Sequence, residues 1–141
     1  LVLKLVVDTN VLFSIFKKES QTRKLIYLSA YELELHSPLF AIGELKNYRD
    51  VIIRKAKISD VQFYEILYEM GERIRLWPIK DYAEFISLAE RITPDPDDVP
   101  FVALSLKLNA PLWSNDKRLK KITQIHVVNT SELIKLLEEL R

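Results

Sequence analysis

The first twelve residues, LVLKLVVDTNVL, constrain the fold more than any other stretch. Leu1, Val2, Leu3, Leu5, Val6 and Val7 form an apolar run broken only by Lys4. A short run rich in β-branched side chains suits a strand covered on both faces, as in a parallel sheet. Asp8, Thr9 and Asn10 end it, and Val11, Leu12, Ile15 and Phe16 then recur at helical spacing. Asp8 therefore stands where a strand hands over to a helix. In open parallel sheets, ligands bind in the crevice outside the carboxyl ends of the strands. An Asp at such a corner is also an ordinary helix N-cap. Position alone leaves both readings open.

Helical and strand-like segments alternate through the rest of the chain. Ser20 is a good N-cap for a helix carrying Leu25, Ile26 and Leu28, and the residues from Leu33 to His36 read as a second strand. Ser37-Pro38 carries the signature of a helix start, Ser at the cap and Pro in the first turn, and predicts one long helix through Glu44 and Tyr48 to about Lys55. Ser59-Asp60 opens another helix that should end near Gly71. The stretch from Ile74 to Ile79 reads as a strand, and Pro78 places it at a sheet edge. Asp81 is expected to cap a helix bearing Phe85, Ile86, Leu88 and Ala89.

The loop Thr93-Pro94-Asp95-Pro96-Asp97-Asp98 follows, and after it a segment apolar nearly all round, from Phe101 to Leu108, which predicts a buried helix. Pro111-Leu112-Trp113 reads as a strand ending in Ser114-Asn115-Asp116. A short basic helix from Lys117 to Lys121, a strand from Ile125 to Val128 and a helix capped by Thr130 or Ser131 complete the chain. This alternation predicts an α/β fold: a single domain over residues 1–141, three layers α/β/α, with a central, mainly parallel sheet.

Residue counts exclude several chemistries. Two glycines, Gly43 and Gly71, are too few for a dinucleotide fingerprint, and they are too far apart, with no Lys directly following either, for a phosphate-binding Walker loop. Zero cysteines rule out disulfides, a thiol nucleophile and a cysteine zinc site, and fit a cytoplasmic protein. His36 and His126 stand far apart, each in a strand-like segment, and read as structural. No apolar run nears the roughly 18 residues that cross a bilayer, so no membrane partner is expected. The apolar start lacks a preceding basic region and reads as a strand instead of a signal peptide. A net charge of +1 confines any nucleic-acid site to local patches.

Three acidic corners converge in this topology. Asp8 ends one strand and Asp116 another, and in a parallel sheet both ends share an edge. Asp98 starts the buried helix, which runs back against the strand it feeds, so that start lies at the same edge. Crowded carboxylates raise one another's pKa and call for a compensating charge, for which Mg2+ or Mn2+ is suited by its preference for oxygen ligands. Asp98 and Asp116 could each serve only as caps.

The patterns VVDTNVL, DDVPFVALSL and APLWSND, in that order, resemble the PIN-domain ribonucleases. The resemblance covers essentially the whole chain. It implies a metal-dependent endoribonuclease that cleaves single-stranded RNA to leave a 5′-phosphate, with Mg2+ or Mn2+ held by Asp8, Glu44, Asp98 and Asp116. Composition alone would not single out Glu44, a mid-helix Glu; its setting beside small Gly43 favours it. Asp97 replaces Asp98 if the register slips by one. Asn10 and Ser114 would support the pocket. Lys117, Arg118, Lys120 and Lys121 are candidates for RNA-backbone contacts, with Lys17, Lys18, Arg23 and Lys24 as others. One Asp8 oxygen could cap the helix while the other faces the cation. The resemblance also implies a homodimer, and for a toxin of a toxin–antitoxin pair a small antitoxin partner.

Two rivals stand beside this reading. A haloacid-dehalogenase-like phosphatase also places an Asp after its first strand, but it expects a second Asp two residues on, where this chain has Asn10. A catalytically silent PIN-like module that binds RNA or protein would keep the fold without the chemistry.

Overall fold

The computed structural model describes residues 2–28 and 32–140, so Leu1 and the side chain of Leu28 lie outside the described residues. Strand β1 (Leu3–Val7) is the centre of the sheet. Leu5, Val6 and Val7 are buried, and exposed Lys4 sits in register with Glu34 on the next strand, 3.8 Å between charges. The lone charge in the apolar run thus has a cross-strand partner. Around β1 stand β2 (Leu33–Pro38), β3 (Ile74–Trp77), β4 (Leu112–Trp113) and β5 (Val127–Val128). The described residues form a five-stranded sheet ordered β3-β2-β1-β4-β5, with every pairing parallel. β3 is an edge strand, as its Trp77-Pro78 end predicts.

Helices α1 (Thr9–Ile15) and α2 (Gln21–Leu28) cross from β1 to β2. Ser20 Oγ accepts from Arg23 N at 3.0 Å, the expected cap of α2. From β2 to β3 run α3 (Phe40–Asn47), α4 (Arg49–Ala56) and α5 (Asp60–Arg73). The return crossing uses α6 (Ile86–Ile92) and α7 (Val99–Leu108), and α8 (Thr130–Leu140) follows β5. Helix α1 packs on α2 and α3, α3 on α4 and α4 on α5, with Phe16 stacked on Phe63 at 5.1 Å, while α7 lies against β1, β2 and β4. Right-handed crossovers put these two sets on opposite faces, because the strand order reverses at β1. The result is the expected three-layer α/β/α fold. Helix α7 is buried through Val99, Phe101, Val102, Ala103, Leu104 and Ser105.

Several local expectations need correction. Ser37 and Pro38 end β2 and do not start a helix. The β1–β2 register ends at Val6↔His36, and there the Ser37 hydroxyl donates to Val7 O at 2.9 Å. The hydrogen bond to the edge strand comes from the next residue, Leu39 N to Trp77 O at 2.8 Å, so the proline ends the strand without costing that bond. The single long helix is two, broken at Tyr48 (φ −101, ψ 14). Asp81 belongs to a 3-10 turn, and α6 starts only at Ile86. The basic segment after Asp116 is a 3-10 turn, Leu119–Lys121. Asn129, and neither Thr130 nor Ser131, caps α8: its Oδ1 accepts from Glu132 N and Glu132 Oε1 accepts from Asn129 N, a reciprocal box. Thr130 instead takes a hydrogen bond from the buried Trp113 indole at 3.0 Å. His36 is structural, bonded to Trp77 Nε1 at 2.9 Å and to Glu34 at 3.0 Å.

Candidate metal centre at the carboxyl edge of the sheet

The strand order reverses between β1 and β4, and the crevice outside their carboxyl ends is where such sheets bind ligands. Asp8 leaves β1 into this crevice. Its Oδ1 accepts from Thr9 N at 2.8 Å and its Oδ2 from Ser114 Oγ at 2.6 Å. The capping role is therefore real, and the second oxygen is bound to a hydroxyl that arrives from β4. Ser114 is 1% exposed and joins three segments. Besides donating to Asp8, it accepts from Asn10 Nδ2 at 3.2 Å and from Asp116 N at 3.1 Å. Asn10 and Ser114 hold the corner together. Burial pushes the Asp8 carboxyl up, against the hydrogen bonds from Ser114 and Thr9.

Glu44 reaches the corner from α3. Thr9 Oγ1 donates to Glu44 Oε1 at 2.6 Å, so the residue after Asp8 fastens the acid 35 positions on. Thr9 was not foreseen in this role; its hydroxyl directly after the strand-end Asp was the available signal. Gly43 does not allow a close approach, because a Cβ there would meet nothing within 4 Å. Desolvation first, then the charges of Asp8, Asp97 and Asp95, pushes the Glu44 carboxyl up.

Asp98 occupies the N-cap position of α7, yet its side chain makes no capping hydrogen bond. Burial and the negative charges of Asp8, Asp95 and Asp116 push its carboxyl up to about 7. Its neighbour Asp97 is exposed, donates its N–H to Asp95 Oδ1 at 3.0 Å, and acts electrostatically on Glu44. Asp95 is an acid that the sequence reading left out. It caps the 3-10 turn Pro96–Asp98 and faces the same corner.

Asp116 differs from the other acids. Arg118 donates to it from N (2.9 Å), Nε (3.3 Å) and Nη2 (2.9 Å), and this cation holds its carboxyl below the ordinary range. Arg118, expected among the candidates for RNA-backbone contacts, is thus paired with Asp116. Lys120 is paired with Glu132. Among the described residues Lys117 and Lys121 enter no ion pair.

The donor set fits a hard divalent cation in its chemistry: every group is a carboxylate oxygen, and the mutual repulsion recorded at Asp98 is what a cation relieves. The cage is open, however. Among the described residues no three His, Asp or Glu converge closely enough to enclose an ion as they stand.

No curated protein matches the chain in sequence. Its fold is similar to solved structures. VapBC2 from Rickettsia felis, bound to a DNA fragment from its promoter, matches with a TM-score of 0.66 at 17% identity, over 90% of this chain and 98% of that one. DNA-bound VapBC from Salmonella typhimurium gives 0.65 at 17%, over 91% and 98%. PAE2754 from Pyrobaculum aerophilum gives 0.69 at 14%, over 97% and 90%. At such identities the likeness is one of fold. A family model described as PIN domain matches residues 6–138, from β1 almost to the end of α8, and the chain belongs to the PIN-domain family.

Proposed function

We propose that the chain is a Mg2+- or Mn2+-dependent endoribonuclease that hydrolyses single-stranded RNA, and that Asp8, Glu44, Asp98 and Asp116 hold the cation. The observation that carries this reading is Asp98. An acid at a helix N-cap that caps nothing, half-buried and repelled by its neighbours, costs stability without serving the fold. A bound divalent cation would offset that repulsion, bind phosphate oxygens and make water more acidic. Asp8 and Glu44 are fixed for this role by Ser114 and Thr9, so their carboxylates need little reordering. In the hydrolysis, water attacks phosphorus, the P–O3′ bond breaks, and the products are a 5′-phosphate and a 3′-hydroxyl.

The DNA-bound VapBC structures support the further proposal that this chain is a toxin with a small antitoxin partner. A homodimer belongs to the same proposal, and sedimentation of the purified chain checks it. The open spacing of the acids favours a second reading, a silent RNA- or protein-binding module.

The deciding experiment compares cleavage of a single-stranded RNA in Mn2+ by wild type, Asp8→Asn and Asp98→Asn. Activity in wild type, reduced at least a hundredfold in both variants, is the expected result, in line with about 10²–10³ for loss of one transition-state contact. Equal cleavage by all three overturns the site. No cleavage and no Mn2+ binding by wild type favour the silent module.

A further inference from the structure

Arg118 is, among the described residues, the basic side chain paired with the acids of this corner. It lies side-on to Asp116, Nε on Oδ1 and Nη2 on Oδ2, while its backbone N–H also donates to Oδ1. Nη2 stands 3.8 Å from Asp95 Oδ2. Both oxygens of Asp116 are thus occupied by a cation that the chain itself supplies. The backbone beneath is firm. Leu119 N donates to Asp116 O at 3.1 Å, and the Leu119 side chain is fully buried. The Arg118 side chain above it is 59% exposed. A fixed base carrying an exposed head lets the head move at little cost, since an exposed ion pair contributes little to stability.

We propose that Arg118 is a two-position cation: it neutralises Asp116 when the acid corner holds no divalent ion, and it moves to a phosphate of the bound RNA when Asp116 turns to such an ion. This inference rests on the proposed function and assigns a positioning and substrate-holding residue to that site. Arg118 and a divalent cation compete for the same two oxygens. Once released, the guanidinium stays tethered at the mouth of the corner, and its planar fork matches a phosphate as well as it matched the carboxylate. The corner keeps a positive charge near Asp116 in both states. That avoids leaving Asp95, Asp98 and Asp116 unneutralised together before the ion binds.

The test uses Arg118→Gln and two measurements: calorimetric titration with Mn2+, and binding of a labelled single-stranded phosphorothioate oligoribonucleotide with and without Mn2+. Removing the competitor is expected to tighten Mn2+ binding about two- to fivefold. Oligonucleotide binding should weaken by a similar factor with Mn2+ and stay unchanged in chelator, because only then is the wild-type arginine engaged with Asp116. Arg118→Lys keeps the charge without the fork and should fall between the two proteins. Mn2+ affinity that is equal or weaker in Arg118→Gln overturns the exchange and leaves the proposed function standing. Equal losses of oligonucleotide affinity with and without Mn2+ also overturn it. Absence of Mn2+ binding in both proteins overturns the reading of the acid corner, and this inference with it.

Discussion

Asp98 weakens the metal-free protein whenever it ionises. Its carboxyl titrates near 7 in the folded chain against an ordinary value of 3.8. Between those values the folded state binds more protons than the unfolded one, so this group's contribution is fully favourable below about pH 4 and is lost as pH rises through 7. Asp98→Asn in chelator should therefore match wild type near pH 4 and exceed it by about 1–2 kcal/mol at pH 8, allowing for solvent screening of a half-buried group. Urea titration at the two pH values measures this. Ser114 is the opposite case. Ser114→Ala leaves a buried Asp8 oxygen, the Asp116 N–H and the Asn10 amide without their shared partner, and should cost about 1–3 kcal/mol in urea unfolding. The acids at Asp8, Asp98 and Asp116 were legible because each stands near one end of an apolar segment, at a turn. Glu44 was legible only through family resemblance. What marks it physically is a hydroxyl 35 residues earlier, and pairings of that kind leave no local pattern.

Elements in this chain end by backbone geometry as much as by side-chain pattern. Helix α4 closes on Lys57 (φ 57) and α7 on Asn109 (φ 49), both left-handed. A residue with a Cβ is strained there by about 1–2 kcal/mol, and Asn tolerates the conformation better than Lys. Lys57→Gly should raise stability by about 1 kcal/mol, and Asn109→Val should lower it by at least that much, both read from the urea midpoint. Asn109 also aims the chain from α7 into β4, so Asn109→Val should disturb the Ser114 corner as well. Neither cap carries the glycine that usually marks such an end in sequence. The Ser37-Pro38 signal failed for a related reason. The dipeptide that favours a helix start also suits the last pair of a strand once one neighbour has stopped pairing, and only the sheet reveals that. Ser59 was legible because its whole capping box with Gln62 lies within four residues.

At the scale of the molecule, a net charge of +1 conceals a division of labour among the cations. Arg118 and Lys120 are held by Asp116 and Glu132, whereas Lys117 and Lys121 stand unpaired among the described residues. Under the proposed function, Lys117→Ala and Lys121→Ala should each weaken RNA binding about equally for all sequences. Each should also reduce the slope of log affinity against log salt by about 1. Slopes unchanged in both variants would remove these lysines from the RNA path. The three-layer order was readable from the alternation of segments, but the reversal of strand order beside β1 was not, because adjacency of β1 and β4 joins residues over 100 positions apart. That separation has a consequence in time. A nascent chain synthesised as far as Leu108 already holds β1, β2, β3 and α7, yet Asp8 lacks Ser114, and Asp116 does not exist. The acid corner closes only when the fourth strand slides in beside the first, a late and entropically costly contact. Under the proposed function, the chain would gain the means to cut RNA only after its fourth strand has left the ribosome, a machine that is itself RNA.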